Sequence, residues 1–122
     1  IDFKVESEGG FYIGPRNGPV VKMSSSGLWD YYKGGHPKPG QKSSLSGALP
    51  SELDLNTWHT INMTQASEYT TSVILNGKHV TTLTSPMKSG GLTIGIDDWF
   101  HVWVDNLRIA SPFETRLSST FV

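Results

Sequence analysis

The sequence predicts an all-β fold, an antiparallel β-sandwich with almost no helix, and three observations lead there. Helical periodicity is nearly absent along the 122 residues. Short runs with alternating apolar residues recur instead, as in strands that bury one side and wet the other. Between them cluster 13 Gly and 7 Pro, which punctuate a chain of hairpins.

Taken in order, Phe3 and Val5 alternate with Asp2, Lys4 and Glu6, a half-buried first strand. Gly9-Gly10 breaks it. Phe11 to Ile13, Val20 to Met23 and Leu28 to Tyr32 follow as a meander, separated by Gly14-Pro15-Arg16-Asn17-Gly18-Pro19 and by Ser24-Ser25-Ser26-Gly27. From Lys33 to Pro50 the chain is polar and rich in Gly, Ser and Pro, a long loop of the kind that is either functional or disordered. Ser43 to Ala48 forms a short strand candidate inside it.

Trp58 opens the next strand, with His59, Ile61 and Met63 on the core side and Thr60, Asn62 and Thr64 outward. Asn62-Met63-Thr64 is an N-glycosylation sequon on that outward side, a tripeptide that also arises by chance. Asn76-Gly77, between Val73-Ile74-Leu75 and Lys78-His79-Val80, is the signature of a type I′ hairpin. Leu92, Ile94 and Ile96 alternate with polar or small residues, as do Phe100, Val102 and Val104, and the closing strand is expected to run on through Asp105-Asn106-Leu107. Ser111-Pro112 stops it. One domain is expected over residues 1–111, with 112–122 a tail or an edge strand.

Composition bounds the function. Ten Lys+Arg against 11 Asp+Glu leave a formal charge of -1, without a long-range field for phosphate or anionic lipid, so nucleic acid is not an expected partner. No apolar run approaches the ~20 residues of a membrane helix, and no basic segment followed by an apolar one opens the chain. A start on Ile1 suggests a mature form or a piece of something longer, the piece being favoured. The absence of Cys removes disulfides and thiol chemistry but leaves the compartment open.

The run Gly9-Gly10-Phe11-Tyr12-Ile13-Gly14-Pro15-Arg16-Asn17-Gly18, then Gly27-Leu28-Trp29-Asp30-Tyr31-Tyr32, Trp58-His59-Thr60 and Val104-Asp105-Asn106-Leu107, resembles the lectin-like domain of galactocerebrosidase-type glycosidases. More loosely, it resembles laminin G-like domains. The resemblance implies a concanavalin A-like antiparallel β-sandwich, or jelly roll. It also implies that any catalytic carboxylates lie in a separate domain. Calcium is the metal it implies, at a sheet edge, with Asp105 as ligand and Ser24 as a helper; as a local reading, Asp105 caps a turn instead.

Sugar binding asks for aromatic plates and a few polar groups. Trp29, Tyr31, Tyr32, Trp99, His101 and Trp103 are the candidates, with His36 from the long loop beside them. Trp29, Tyr31 and Lys33 share one side of their strand; Trp99, His101, Trp103 and Asp105 share one side of theirs. If both sides belong to one sheet they form an aromatic surface, and the alternative for each ring is the core. Trp58-His59, Asn76-Gly77 and Asp105-Asn106 read mainly as folding signals: strand entry, hairpin turn and edge turn. The four histidines lie on four elements, which argues against zinc. Catalysis by this chain is not expected, because Asp97 and Asp98, adjacent in sequence, point to opposite sides of a strand.

The function expected is a non-catalytic carbohydrate-binding module, accessory to an extracytoplasmic glycosidase acting on galactosyl or related glycans. Its partners would be a glycan and a catalytic domain, and its location secreted, cell-surface or lysosomal. The alternative is a laminin G-like adhesion or structural module that binds protein and no sugar.

Overall fold

A computed structural model describes residues 1–16, 18–67, 70–84, 92–96 and 101–108. Among the described residues there are ten strands: β1 (Asp2–Val5), β2 (Gly10–Pro15), β3 (Val20–Ser24), β4 (Leu28–Tyr32), β5 (Leu45–Ala48), β6 (Trp58–Ser67), β7 (Thr70–Leu75), β8 (Lys78–Leu83), β9 (Leu92–Ile96) and β10 (Val102–Asp105). They form two antiparallel five-stranded sheets, ordered β10-β1-β6-β7-β8 and β5-β4-β3-β2-β9, and no helix occurs among the described residues. Among the described residues, therefore, no helix is long and apolar enough to cross a membrane. The all-β antiparallel sandwich predicted from alternation is the fold. The segment 112–122, expected as tail or edge strand, lies outside the described residues.

Alternation places the core. Phe3 and Val5 on β1, Ile61 on β6, and Val73 and Leu75 on β7 point inward from the first sheet. Phe11, Ile13, Val21, Met23, Trp29 and Tyr31 point inward from the second. The sheets meet at Phe3 and Phe11, whose rings stack 4.6 Å apart at 20°. Leu49 and Leu53, on the β5–β6 connection, fill the core from outside any strand. A smaller cluster of Tyr12, Val20 and Tyr32 lies on the outer face of the second sheet.

Several strand bounds differ from expectation by a residue or two, as where β2 spans Gly10–Pro15 and β5 begins at Leu45, and two differences are larger. β6 runs to Ser67 and β7 begins at Thr70, so their pairing is longer than the apolar residues alone suggest, with a register shift between Gln65 and Ser67. The closing strand ends at Asp105, because Asn106 turns to a φ of 52°, a left-handed conformation that leaves the ladder. Asn-Gly behaves as its type requires: Asn76 and Gly77 take φ of 52° and 78°, and Leu75 pairs with Lys78 across the turn.

Asn76 also straps this hairpin to its neighbour. Its Oδ1 accepts the Thr60 amide N–H at 2.8 Å, and its own N–H donates to the Thr60 carbonyl at 2.8 Å. Because Oδ1 faces a donor, Nδ2 is the atom 2.9 Å from His59 Nδ1, and that ring nitrogen must accept. The His59 proton then sits on Nε2 and donates to the Asp54 carbonyl at 2.8 Å. One amide side chain thus selects the tautomer of a buried histidine whose ring leans on Phe3 at 5.6 Å.

Two substitutions separate packing from this strap. Phe3→Ala, at a fully buried ring, is expected to cost about 3–5 kcal/mol in equilibrium urea unfolding. Asn76→Gly keeps the left-handed turn but leaves His59 Nδ1 without its donor, at about 1–3 kcal/mol in the same assay. A loss below ~0.5 kcal/mol for Asn76→Gly would mean that the strap contributes nothing.

Candidate functional site

The sequence candidates separate into different places. Trp29 and Tyr31 are core residues, 8% and 3% exposed, so neither offers a ring face to a sugar. The reason is parity: Asp30 shares its side with Leu28 and Tyr32, and the other side, with Trp29 and Tyr31, is the one that continues the Met23 and Val21 rows of β3. Trp29 lies over β5, where a side chain on Gly47 would meet the indole at 2.7 Å. The two aromatic strand sides also do not share a sheet, since β4 belongs to the second and β10 to the first.

The other candidates are exposed. Trp103 and Asp105 are exposed and lie on the outer face of the first sheet, opposite Lys4 and Asp2 of β1. His101, exposed, continues that side of the chain just before β10, where its carbonyl accepts the Glu6 amide at 3.3 Å. Trp99, Asp97 and Asp98 lie outside the described residues. His36 stands apart from all of these: it reaches over the outer face of the second sheet, edge-on to Tyr12 at 4.5 Å and directly above Gly95.

Asp105 and Ser24 do not meet. Asp105 is on the outer face of the first sheet, while Ser24 continues the outward side of β3 and lines a shallow polar hollow with Glu8, Gly9, Lys22, Ser25 and Ser26. One ion cannot take both, and the expected calcium pair is not formed. Asp105 Oδ1 instead accepts the Asn106 amide at 2.7 Å, the turn-capping role. No group of three His, Cys, Asp or Glu converges among the described residues.

What the fold assembles is a platform on the first sheet. Because Phe3 and Val5 point inward, Lys4 points outward, and the register sets Trp58 of β6 on one side of it and Trp103 of β10 on the other. Lys4 Nζ lies 5.2 Å from the Trp58 ring and 5.7 Å from the Trp103 ring. The two tryptophans stay 49% and 55% exposed. Separated by two strand spacings, they stand about 10 Å apart along the row. Trp103 Nε1 donates to Glu6 Oε1 at 2.7 Å, which fixes the indole through the exposed carboxylate just after β1.

The adjoining row is polar. Asp2 lies between Thr60 and Asp105; its carboxylate accepts the Thr60 hydroxyl at 2.6 Å and the Asn106 amide at 2.6 Å. These bonds, Asn106 foremost and then Thr60, hold the Asp2 carboxyl below its ordinary value of 3.8. A general acid of a glycosidase needs the opposite shift. Asn62, the sequon residue, is exposed on this same outward side of β6, in register with Ile74.

Trp58 and Lys4 are the site residues that sequence reasoning missed. The signal was present in the parity of β6: with His59, Ile61 and Met63 inward, an aromatic at 58 stands on the wet side. Comparison with protein-family models and with curated proteins gives no match for this chain. Fold and surface define an all-β sandwich that carries an exposed tryptophan platform on one sheet.

The Asp2 bonds predict a pH dependence of stability. The folded value is depressed, so their contribution is complete above the unfolded value of 3.8 and is lost as pH falls through the folded value. The difference in thermal midpoint between wild type and Asp2→Asn is expected to be largest near neutral pH and to shrink below 3.8. A difference that stays constant across that range would contradict the assignment.

Proposed function

We propose that this domain is a non-catalytic carbohydrate-binding module of the lectin-like kind, acting outside the cytoplasm, and that the Trp58–Lys4–Trp103 row is its binding surface. One observation carries the reading: two half-exposed indoles held on a sheet face, with hydrogen-bonding side chains on the next row. Exposed tryptophan on a soluble surface costs apolar hydration, and a pyranose offers an apolar face that removes it. The ~10 Å between the rings suits two contacts on an oligosaccharide better than one on a monosaccharide. Asp2, Thr60, Glu6 and Asn106 supply donors and acceptors for the hydroxyls. An accessory role beside a glycosidase domain, with galactosyl or related glycans as ligands, follows from the sequence resemblance.

Support also comes from the shape of the site. An open row on a sheet face leaves both ends of a chain free, as a module that holds a polymer requires, whereas a small substrate asks for a concave pocket.

The experiment is glycan-array screening followed by titration of tryptophan fluorescence. Trp58→Ala and Trp103→Ala are each expected to weaken binding about 30-fold or more while leaving the unfolding midpoint nearly unchanged. Trp29→Ala is expected to destabilise the fold instead, by about 3–5 kcal/mol. Absence of binding to any glycan by the folded wild type would overturn the reading. Capture of a protein through the same two tryptophans would favour the laminin G-like alternative.

A further inference from the structure

The near-zero net charge conceals a segregation. Between residues 10 and 48, which build four of the five strands of the second sheet and the loops joining them, five cations (Arg16, Lys22, Lys33, Lys38, Lys42) face a single acid, Asp30. The remaining described residues hold three cations, Lys4, Lys78 and Arg108, against six acids. No acid occurs from Tyr31 to Ser51. Among the described residues, charge that nearly cancels over the whole sequence is therefore predominantly positive on this stretch.

The fold gathers the charges. Gly35 crosses the β2–β3 turn closely enough that a side chain there would lie 3.2 Å from the Gly18 carbonyl, which brings the start of the 33–44 loop beside the turn that carries Arg16. His36 anchors the loop on Tyr12 and Gly95. At the other end, Ser44 Oγ accepts the Lys33 amide at 3.3 Å and the Ser44 amide donates to the Tyr31 carbonyl at 2.7 Å, so the neck is closed with Lys33 and Lys42 near it. Beyond it, Lys38 to Gln41 is a turn, closed by the Gln41 amide on the Lys38 carbonyl at 3.0 Å and the Gln41 side chain on the Lys38 amide at 3.0 Å. Arg16, Lys33, His36, Lys38 and Lys42 are all exposed. Among the described residues, Asp30 stands opposite Lys22 in the ladder and Glu8 lines the polar hollow with Lys22.

We infer that this basic loop face binds a sulfated polysaccharide, independently of the tryptophan row on the opposite sheet. The partner chemistry follows from what the face offers and withholds. Lysines on an exposed loop are point charges that suit a linear polyanion with freely spaced sulfates. The loop holds no apolar side chain other than proline to enter a lipid surface. Among the described residues its aromatic neighbours Tyr12 and Tyr32 are buried, and the one exposed ring of the loop, His36, packs edge-on against Tyr12, so the face offers no series of exposed rings for successive unpaired bases.

The test is heparin affinity with the intact chain, as a function of salt. Wild type is expected to be retained at about 50 mM salt and released as salt rises. The triple variant Lys33→Gln, Lys38→Gln, Lys42→Gln is expected to elute earlier, with the slope of log K against log salt reduced by roughly two to three. The corresponding triple Arg variant should bind like wild type, and Trp58→Ala with Trp103→Ala should leave retention unchanged. No retention of wild type, equal retention on desulfated heparin, or a triple Gln variant that elutes like wild type would overturn the inference. So would tighter binding to single-stranded RNA or to phosphatidylserine vesicles than to heparin.

Discussion

The structure depends on β1. This four-residue strand is inserted between β10 and β6, and its alternation serves both faces of the first sheet at once. Inward, Phe3 stacks on Phe11 and ties the two sheets together. Outward, Lys4 spaces Trp58 and Trp103 and Glu6 orients one of them. A slip of one residue in its pairing would move Phe3 and Val5 to solvent and Lys4 into the core, so the apolar core enforces the register that builds the surface row. Packing and binding surface are here a single constraint, set by the period of two.

The His59–Asn76 strap supports that constraint from the other side. β6 carries Trp58 outward and His59 inward at adjacent positions, so whatever fixes the His59 ring also fixes the start of the strand. Three bonds do this, to the Asp54 carbonyl, to Asn76 Nδ2, and from Thr60 N–H to Asn76 Oδ1. An asparagine in a hairpin turn has its side chain free to bond elsewhere, and a turn residue selected for its left-handed backbone thereby takes on a second role. A buried polar ring in a sandwich is tolerable only with such partners, and no buried side-chain polar atom among the described residues lacks one.

The sandwich was legible because most strands bury one side only, which makes alternation visible, and because Asn76-Gly77 has few other conformations open to it. Legibility ended where that asymmetry ended. In Leu28 to Tyr32 both sides carry large apolar residues, and within the strand Asp30 is the single local mark that the opposite side, Trp29 and Tyr31, is core. Leu49 and Leu53 are buried from a polar, Pro-containing connection with no period to read. Sheet membership was the larger gap: that β4 and β10 lie in different sheets depends on β1 pairing with β10 about a hundred residues later, a non-local choice that no window of sequence displays. The tryptophan row required both facts together, the wet parity of Trp58 and the insertion of Lys4 between its neighbours.

The two outer faces then carry different physics. On the first sheet, apolar rings are held on a surface where Asp2, Glu6 and Asp105 lie beside Lys4, and Lys4 is engaged with both rings. Attraction there is short-ranged, favours stacking over charge and should depend little on salt. On the second sheet, the rings are buried beneath a loop whose exposed side chains are cationic, and attraction there is long-ranged and screened by salt. A sandwich separates such surfaces by the thickness of two sheets, about 10 Å between backbones. The path between the two faces through solvent, around the domain, is longer still and exceeds the Debye length of about 8 Å at physiological salt. The separation lets an acidic, ring-bearing face and a basic loop coexist in one small domain without neutralising each other.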